Sequence, residues 1–239
     1  MQESNKVGYA ILGTFIFLGL ATLGYFLSNA AIDYKMYERS VTVKGLSERE
    51  YKADIVIWPI QFAVVNNNLT NLYNSIDKQS TKIREFLEAN EILSDEITIV
   101  APAITDKSAQ QYGDNSKVEF RYLAYQTINV YSKNINAVRK IMGSLSQLGK
   151  QGIVFTGNNY DSQIEYLFTR LNEVKPEMIE EGTTKAREVA QKFATDSQSS
   201  LGKIKRASQG QFSISARDKN NPHIKRVRVV STVEYYLSD

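Results

Sequence analysis

The sequence predicts an α+β protein in which a single N-terminal transmembrane helix precedes a two-lobed domain of antiparallel sheets, each covered by helices. Three observations predict this class. An uncharged apolar stretch lies near the N-terminus, and strand-like segments rich in β-branched residues alternate with amphipathic helical segments after it. The order helix, strand, polar tip, strand also occurs twice, about 105 positions apart. We expect residues 1–36 to form a cytoplasmic stub and membrane segment. Residues 37–239 would form one domain with lobes of roughly 37–132 and 133–239.

The apolar stretch at residues 7–27 contains no charged residue and no proline. These 21 residues would span roughly 32 Å as a helix, which matches a hydrocarbon core of about 30 Å. A buried helix of a soluble domain usually has a polar face, whereas here only Thr14, Thr22 and glycines interrupt the apolar surface. The residues predicted to contact membrane lipid include Val7, Leu12, Ile16, Leu20, Leu23 and Leu27.

The stretch is predicted to be an uncleaved signal anchor. Secretory signals have an apolar region of about 7–15 residues, which is shorter than this one, and only Lys6 supplies a basic side chain before it. Cleavage near Ala30 stays open, because Ser28-Asn29-Ala30 could serve as a processing site. With one span near the start and a folded domain behind it, we expect the C-terminal domain on the extracytoplasmic (periplasmic) side of the cell membrane.

The composition is that of a globular protein, with 42% hydrophobic and 23% charged residues. A net charge of +3 is too small to indicate a nucleic-acid partner. The chain has no cysteine, which excludes disulfides, thiolate catalysis and cysteine-based metal sites, and His223 is its only histidine.

In the first lobe, residues 41–44 predict a strand closed by Gly45. A longer strand is predicted at 54–65, where Pro59 requires an edge or a bulge because it has no N–H to donate. Asn68 is interpreted as a helix cap rather than as part of a glycosylation sequon. The further elements are a helix at 69–90 with its core face at Leu69, Leu72, Tyr73, Ile76, Ile83, Phe86 and Leu87, a strand at 96–104, a polar tip at 105–117 and a strand at 118–131.

In the second lobe, Asn134 is predicted to cap a helix that Gly149 and Gly152 end. A third helix is predicted at 172–196, with Pro176 tolerated in its first turn and an inner face of Val174, Met178, Ala186, Val189, Ala190 and Phe193. The predicted strands are 153–156 and 162–171 around a turn at 157–159, then 205–215 and 225–237 around a polar tip at 216–224.

The order of these elements resembles the SIMPL-domain family, which includes periplasmic immunogenic proteins and a protein linked to oxidative-stress defence. The resemblance covers about residues 39–237. The matching stretches are 41–45, 54–60, 86–90 before 97–98, 122–131, 152–155, 185–190 before 201–204, and 227–229. The sequence departs from the family in having Ala53 where members usually have proline before Asp54. It also departs in Glu180, Glu181 and Thr183, which dilute the alanine run of the third helix. The resemblance implies an extracytoplasmic α+β domain that assembles into ring-like or channel-like oligomers, with no catalytic residues agreed for the family.

The sequence shows no catalytic or metal-binding constellation. His223 lies in a turn-rich loop without a carboxylate or nucleophile at a partner spacing, so we interpret it as a surface residue. The acidic pairs 48/50, 95/96 and 180/181 lack the pattern of a calcium loop and are interpreted as solvated. Residues 149–152 read Gly-Lys-Gln-Gly and lack the remaining glycines and the Ser/Thr of a phosphate-binding loop. No cofactor and no enzymatic activity are therefore expected.

Basic residues are concentrated near the C-terminus, with Asp218 as their only acidic neighbour in the sequence. The candidate contact patch consists of Lys203, Lys205, Arg206, Lys225, Arg226 and Arg228. A solvated sheet face, anionic lipid headgroups and an acidic partner subunit are the alternatives for it.

The sequence favours a membrane-anchored, non-enzymatic assembly or scaffold protein that forms a homo-oligomer, because several strands have edges that need pairing or protection. Two alternatives remain open. One is an envelope module that binds a small ligand or a peptide in a cleft between the lobes and acts in stress defence. The other is an enzyme that uses only oxygen groups.

Overall fold

A long N-terminal helix leads into an α+β arrangement of strands and shorter helices in the computed structural model, which describes residues 2–109, 119–157 and 163–238. The helices are α1 (Gln2–Tyr37), α2 (Leu69–Glu88), α3 (Ile135–Met142), α4 (Ser146–Gly149) and α5 (Leu171–Asp196). The strands are β1 (Ser40–Lys52), β2 (Ile55–Asn66), β3 (Ile97–Ile99), β4 (Ala103–Asp106), β5 (Tyr122–Ser132), β6 (Val154–Phe155), β7 (Glu165–Leu167), β8 (Ser200–Gln209), β9 (Ser213–Ala216) and β10 (Ile224–Ser238). The α+β class predicted from the sequence is confirmed.

The chain forms two compact units. Unit 1 consists of Met1–Glu48, Lys175–Phe212 and Arg228–Asp239, and unit 2 consists of Arg49–Val174 and Ser213–Val227. The units are therefore interleaved along the chain, whereas the predicted lobes at 37–132 and 133–239 follow one another. The cause is strand pairing between distant segments, because β1 pairs with β10.

Unit 2 contains an antiparallel sheet covered by α2. Its strand order is β3-β5-β2-β6, with β4 also paired to β5 and β7 also paired to β2. The helix begins after Asn68, whose side chain accepts a hydrogen bond from the Asn71 N–H and so caps it as predicted. Its core face is narrower than predicted, since Leu69 and Tyr73 are exposed. The buried residues of α2 are Leu72, Ile76, Ser80, Ile83 and Leu87, which follow helical spacing and pack the core of this unit.

One polar bridge crosses the core of unit 2. The buried Ser80 hydroxyl donates to Gln126 Oε1 at 2.5 Å, and Gln126 Nε2 donates to the carbonyl of Val100 at 3.0 Å. We expect Gln126→Leu to cost about 1–3 kcal/mol of unfolding free energy, because it leaves the buried Ser80 hydroxyl without its partner. Chemical denaturation measures this cost. Gln191→Leu, on the exposed surface of α5, is the control and should stay within about 0.5 kcal/mol of the parent protein; an equal loss in both variants would contradict the prediction.

Pro59 lies within a central strand, which corrects the prediction of an edge or a bulge. The register between β2 and β5 is unbroken around it, with Pro59 opposite Asn129. On the other side, β7 pairs with residues 55–57 and β6 with residues 62–63, so Pro59 falls between these two short strands. A residue without an N–H is tolerated there because neither short strand pairs with it.

Several predicted elements of unit 2 are divided in the structure. The strand predicted at 96–104 forms β3 and β4, separated by a segment that contains Pro102. The helix that Asn134 caps ends at Gly143 and is followed by the short α4. Gly152, with φ of 87°, reverses the chain after α4. Most of the predicted tip at 105–117, residues 158–159 of the predicted turn and the starts of the strands at 118 and 162 lie outside the described residues.

Unit 1 contributes β1, β10 and β8, in the order β1-β10-β8, to a four-stranded antiparallel sheet in which β9 also pairs with β10, and α5 lies on one face. β10 alternates as predicted, and its buried residues in this unit are Val229, Ser231, Val233 and Tyr235. The helix α5 buries Met178, Gly182, Ala186, Ala190 and Ala194, spaced four residues apart. Val189 and Phe193, predicted on the inner face, are instead 41% and 55% exposed, because the small residues bring the helix backbone close to the sheet and leave no room for larger ones.

Gly45 lies in the middle of β1 and does not end it, which corrects the predicted strand boundary. A Cβ on Gly45 would lie 1.8 Å from the carbonyl oxygen of Gly182 and 2.6 Å from the Ala186 nitrogen. Strand and helix backbones therefore approach each other at this point, and only glycine fits. The strand predicted at 205–215 is likewise divided, into β8 and β9.

Candidate functional site

The N-terminal helix carries the predicted membrane segment. Residues 11–32 have a mean hydropathy of 1.9, and the apolar core of this segment is not buried against any described part of the protein. Val7 lies in α1, although its side chain is outside the described part. The other predicted lipid contacts are all more than half exposed: Leu12, Ile16, Leu20, Leu23 and Leu27. Length and composition suit a single-pass anchor, and a signal sequence fits them equally.

The six residues of the candidate basic patch are divided between the two units. Lys203, Lys205, Arg206 and Arg228 belong to unit 1, whereas Lys225 and Arg226 belong to unit 2. Within unit 2, Arg226 donates to the carbonyl of Arg217 at 3.2 Å. Burial lowers the pKa of the half-buried Lys225 ammonium.

The structure brings acidic partners to several of these residues. Lys205 Nζ lies 3.2 Å from Glu234, and Arg228 Nε lies 3.7 Å from Glu48. Lys205 also lies over the ring of Tyr236, at 5.6 Å from its centroid. Counting acids along the sequence missed these partners because they come from neighbouring strands, and cross-strand pairing is not visible in local composition.

The sheet of unit 1 has two free edges. Among the described residues, no strand pairs with the outer side of β1 or of β8. Eight of the ten residues of β8 are exposed, including Ile204 at 53%. Ile204 pairs with the buried Tyr235, which places it on the α5 side of the sheet, the side that also bears the exposed Val189 and Phe193. Unpaired N–H and C=O groups with exposed apolar side chains beside them can take up a further strand.

A basic cavity lies within unit 2, beside the first turn of α3. Its volume is about 230 Å³. Its lining consists of Lys52, Ala53, Lys133, Asn134, Ile135, Asn136, Arg139 and His223. Asn134 caps α3 by accepting from the Ala137 N–H at 3.1 Å, as predicted from the sequence. The backbone N–H of Ala53 donates to the His223 carbonyl at 2.9 Å and fixes the histidine loop against the end of β1.

The side chain of His223 is hydrogen-bonded to that of Arg139, 84 residues away along the chain. The sequence had indicated only a surface residue in a loop. Arg139 Nη1 lies 3.2 Å from His223 Nε2. Because a guanidinium can only donate, Nε2 is the acceptor, and the neutral imidazole carries its proton on Nδ1. Burial lowers the pKa of His223, and the charges of Arg139, Arg217 and Lys52 lower it further against the opposing effect of Asp218. No sequence signal links positions 139 and 223.

The acidic pairs noted in the sequence make structural contacts. Glu48 and Glu50 face Arg228 and Arg217, and Glu181 accepts from Ser47 and Lys185. Within the described ranges, no three His, Asp or Glu side chains come together as a metal site requires.

Asp54, which belongs to one of the stretches that match the family, also makes structural contacts. Its carboxylate accepts from the backbone N–H and the hydroxyl of Thr169, just before α5. Arg170 lies 3.9 Å from the same carboxylate. Asp54 therefore fixes the segment that leads into α5.

A family model described as SIMPL, a protein of unknown function (DUF541), matches residues 41–233, which is most of the chain. No curated protein matches the chain. The match covers every strand except the few residues at the outer ends of β1 and β10, and it begins after the apolar helix.

Proposed function

The chain belongs to the SIMPL family, and on that premise we propose that it is a membrane-anchored, non-enzymatic assembly protein. Its domain lies on the extracytoplasmic side and joins copies of itself into a ring-like or channel-like homo-oligomer. The observation that carries this proposal is the pair of free edges on the sheet of unit 1. SIMPL domains are extracytoplasmic, and the apolar helix before the domain supports a single-pass anchor.

The link between helix and sheet supports a position next to the membrane. Only Glu38 and Arg39 separate α1 from β1, so the first residue of the sheet lies within about 11 Å of the helix end. The Leu237 N–H donates to the carbonyl of Arg39 at 2.9 Å, which ties the end of β10 to the same place. An anchored α1 would thus hold one end of the sheet near the lipid surface and confine the copies to a plane, which raises their effective concentration.

Charge decides which edges meet. β8 carries Lys203, Lys205 and Arg206 and no acid, so pairing two β8 strands would place like charges opposite each other. The part of β1 in unit 1 carries one Lys and one Glu, and is close to neutral. We therefore propose that β8 of one copy pairs with β1 of the next. Such a contact joins two different surfaces, and repeated contacts of this kind close into rings when the rotation between copies allows it.

Ile204→Lys tests the proposal. Burial of this isoleucine in the contact would contribute about 1.5–3 kcal/mol, so its replacement is expected to weaken association by roughly tenfold to a hundredfold. The measurement is light scattering during size-exclusion chromatography of the full chain in mild detergent, over a wide range of concentration.

Ile164→Lys is the matched control, since Ile164 is an exposed isoleucine of unit 2 that belongs to neither the sheet of unit 1 nor its edges. The parent protein and this control should run as oligomers under conditions in which Ile204→Lys dissociates. A parent protein that stays monomeric at every concentration would refute the assembly function. An oligomer that Ile204→Lys leaves intact would refute the proposed edge.

A further inference from the structure

We infer that the basic cavity of unit 2 binds the phosphate group of a small soluble molecule. The first reason is uncompensated charge. Lys52, Lys133 and Arg139 line the cavity, and no carboxylate in the described part of the chain pairs with any of them. Three cations gathered in one recess repel each other, and a bound dianion removes that repulsion better than a monoanion does.

The residues that line the cavity also carry hydrogen-bond donors. Lysine and arginine side chains are the usual phosphate donors in proteins. Ile135 and Asn136 also line the cavity, and their backbone N–H groups have no acceptor in the described residues, because Asn134 caps α3 through Ala137 instead. These N–H groups add to the lysine and arginine donors and do not form a site by themselves.

The chemistry of His223 fits an anion in the cavity. His223 lines the cavity, and its Nε2 accepts from Arg139 while the imidazole is neutral. Protonation of Nε2 would end that hydrogen bond and make His223 a fourth cation. The charged groups around it are Arg139 of α3, Lys52 of β1 and Arg217 with Asp218 of the loop before β10, and the Tyr166 ring of β7 lies 6.0 Å from the imidazole. Burial lowers the pKa of His223, and the majority of cations around it lowers that pKa further.

Size limits the ligand. A cavity of about 230 Å³ is smaller than the usual range for drug-sized ligands, about 300–1,000 Å³. It therefore suits a phosphate with a small substituent and not an entire nucleotide. This site is independent of the free edges of unit 1, because every residue that lines it belongs to unit 2.

His223 provides the measurement, because it is the only histidine and gives a single imidazole Cε1–H signal in proton NMR. The full chain in detergent is titrated with inorganic phosphate, with sodium acetate and with sodium chloride at matched ionic strength. We expect phosphate alone to give a saturable shift of this signal and to raise the pKa of His223 towards its ordinary value. By linkage, the same coupling makes phosphate bind more tightly as His223 becomes protonated.

The double variant Lys52→Ala/Lys133→Ala should weaken phosphate binding about tenfold or more, because it removes two charge-assisted donors. Lys52→Arg/Lys133→Arg should retain binding, and Lys140→Ala, an exposed lysine of α3 outside the lining, should leave it unchanged. The inference is overturned if phosphate gives no saturable shift, if acetate or chloride matches it, or if the alanine double variant binds as tightly as the parent protein.

Discussion

Gly45→Ala is expected to destabilise the protein by about 3 kcal/mol or more, which corresponds to a fall in melting temperature of about 6–12 °C. The added methyl group would lie 1.8 Å from the carbonyl oxygen of Gly182 and 2.6 Å from the Ala186 nitrogen. Both are backbone atoms, so no side-chain rotation relieves the clash. The strand β1 or the helix α5 has to move, and the sheet of unit 1 loses its packing. Thermal unfolding followed by circular dichroism measures the effect.

Gly149→Ala is the control, since a Cβ there meets no atom within 4 Å. It should change the unfolding free energy by no more than about 0.5 kcal/mol. If Gly45→Ala unfolds at the temperature of this control, the close approach of strand and helix is wrong.

Gly182→Ala probes the same contact from the helix and should cost less. Its Cβ would lie 3.0 Å from Ser231 Oγ, a side-chain atom that is buried without a hydrogen-bond partner in the described part of the chain. Ser231→Ala should therefore cost little by itself and should relieve most of the loss caused by Gly182→Ala. A double-mutant cycle reads this coupling directly.

Leu18→Arg should remove the protein from the membrane fraction. An arginine near the centre of a spanning helix costs about 2.5–3.5 kcal/mol of insertion free energy, a change on the order of a hundredfold in the insertion equilibrium. Leu18 lies within the span Ile11–Ile32 and is 53% exposed, so no other part of the protein shields the charge. The measurement is the distribution of the protein between the membrane pellet after alkaline extraction and the soluble fraction.

Leu93→Arg provides the comparison, because Leu93 is a leucine of unit 2 that is 63% exposed. That variant should fractionate like the parent protein. A Leu18→Arg protein that stays in the pellet would show that residues 7–27 do not hold the chain in the membrane. Mass spectrometry of the parent protein separates a retained helix from cleavage near Ala30.

Patterns among residues close together in the sequence predicted the helices, strands and caps that such residues form. The helical spacing of α2 and the strand alternation of β10 were visible because each pattern extends over three or more turns or pleats. The caps Asn68 and Asn134 were predicted correctly, since a cap bonds to a backbone N–H three residues away. The apolar helix and the family resemblance followed from composition and from the order of elements.

Features that depend on distant segments could not be predicted. From the sequence, Gly45 looks like the end of a strand, because its contacts with Gly182 and Ala186 of α5 lie more than 130 residues further along the chain. Val189 and Phe193 were assigned to the core because hydrophobicity alone does not reveal a contact that admits only small residues. The cavity residues could not be grouped either, since His223 and Arg139 meet through the tertiary fold.

The central position of β10 in the sheet of unit 1 governs the order in which the chain can fold. Its residues 228–238 lie between β1 and β8, yet they are synthesised after every other segment of either unit. Until they leave the ribosome, β1 and β8 have no strand to bridge them, and α5 has no complete sheet to cover. Unit 1 therefore completes its fold only after residues 228–238 have been synthesised, and their removal would split this sheet rather than trim its border.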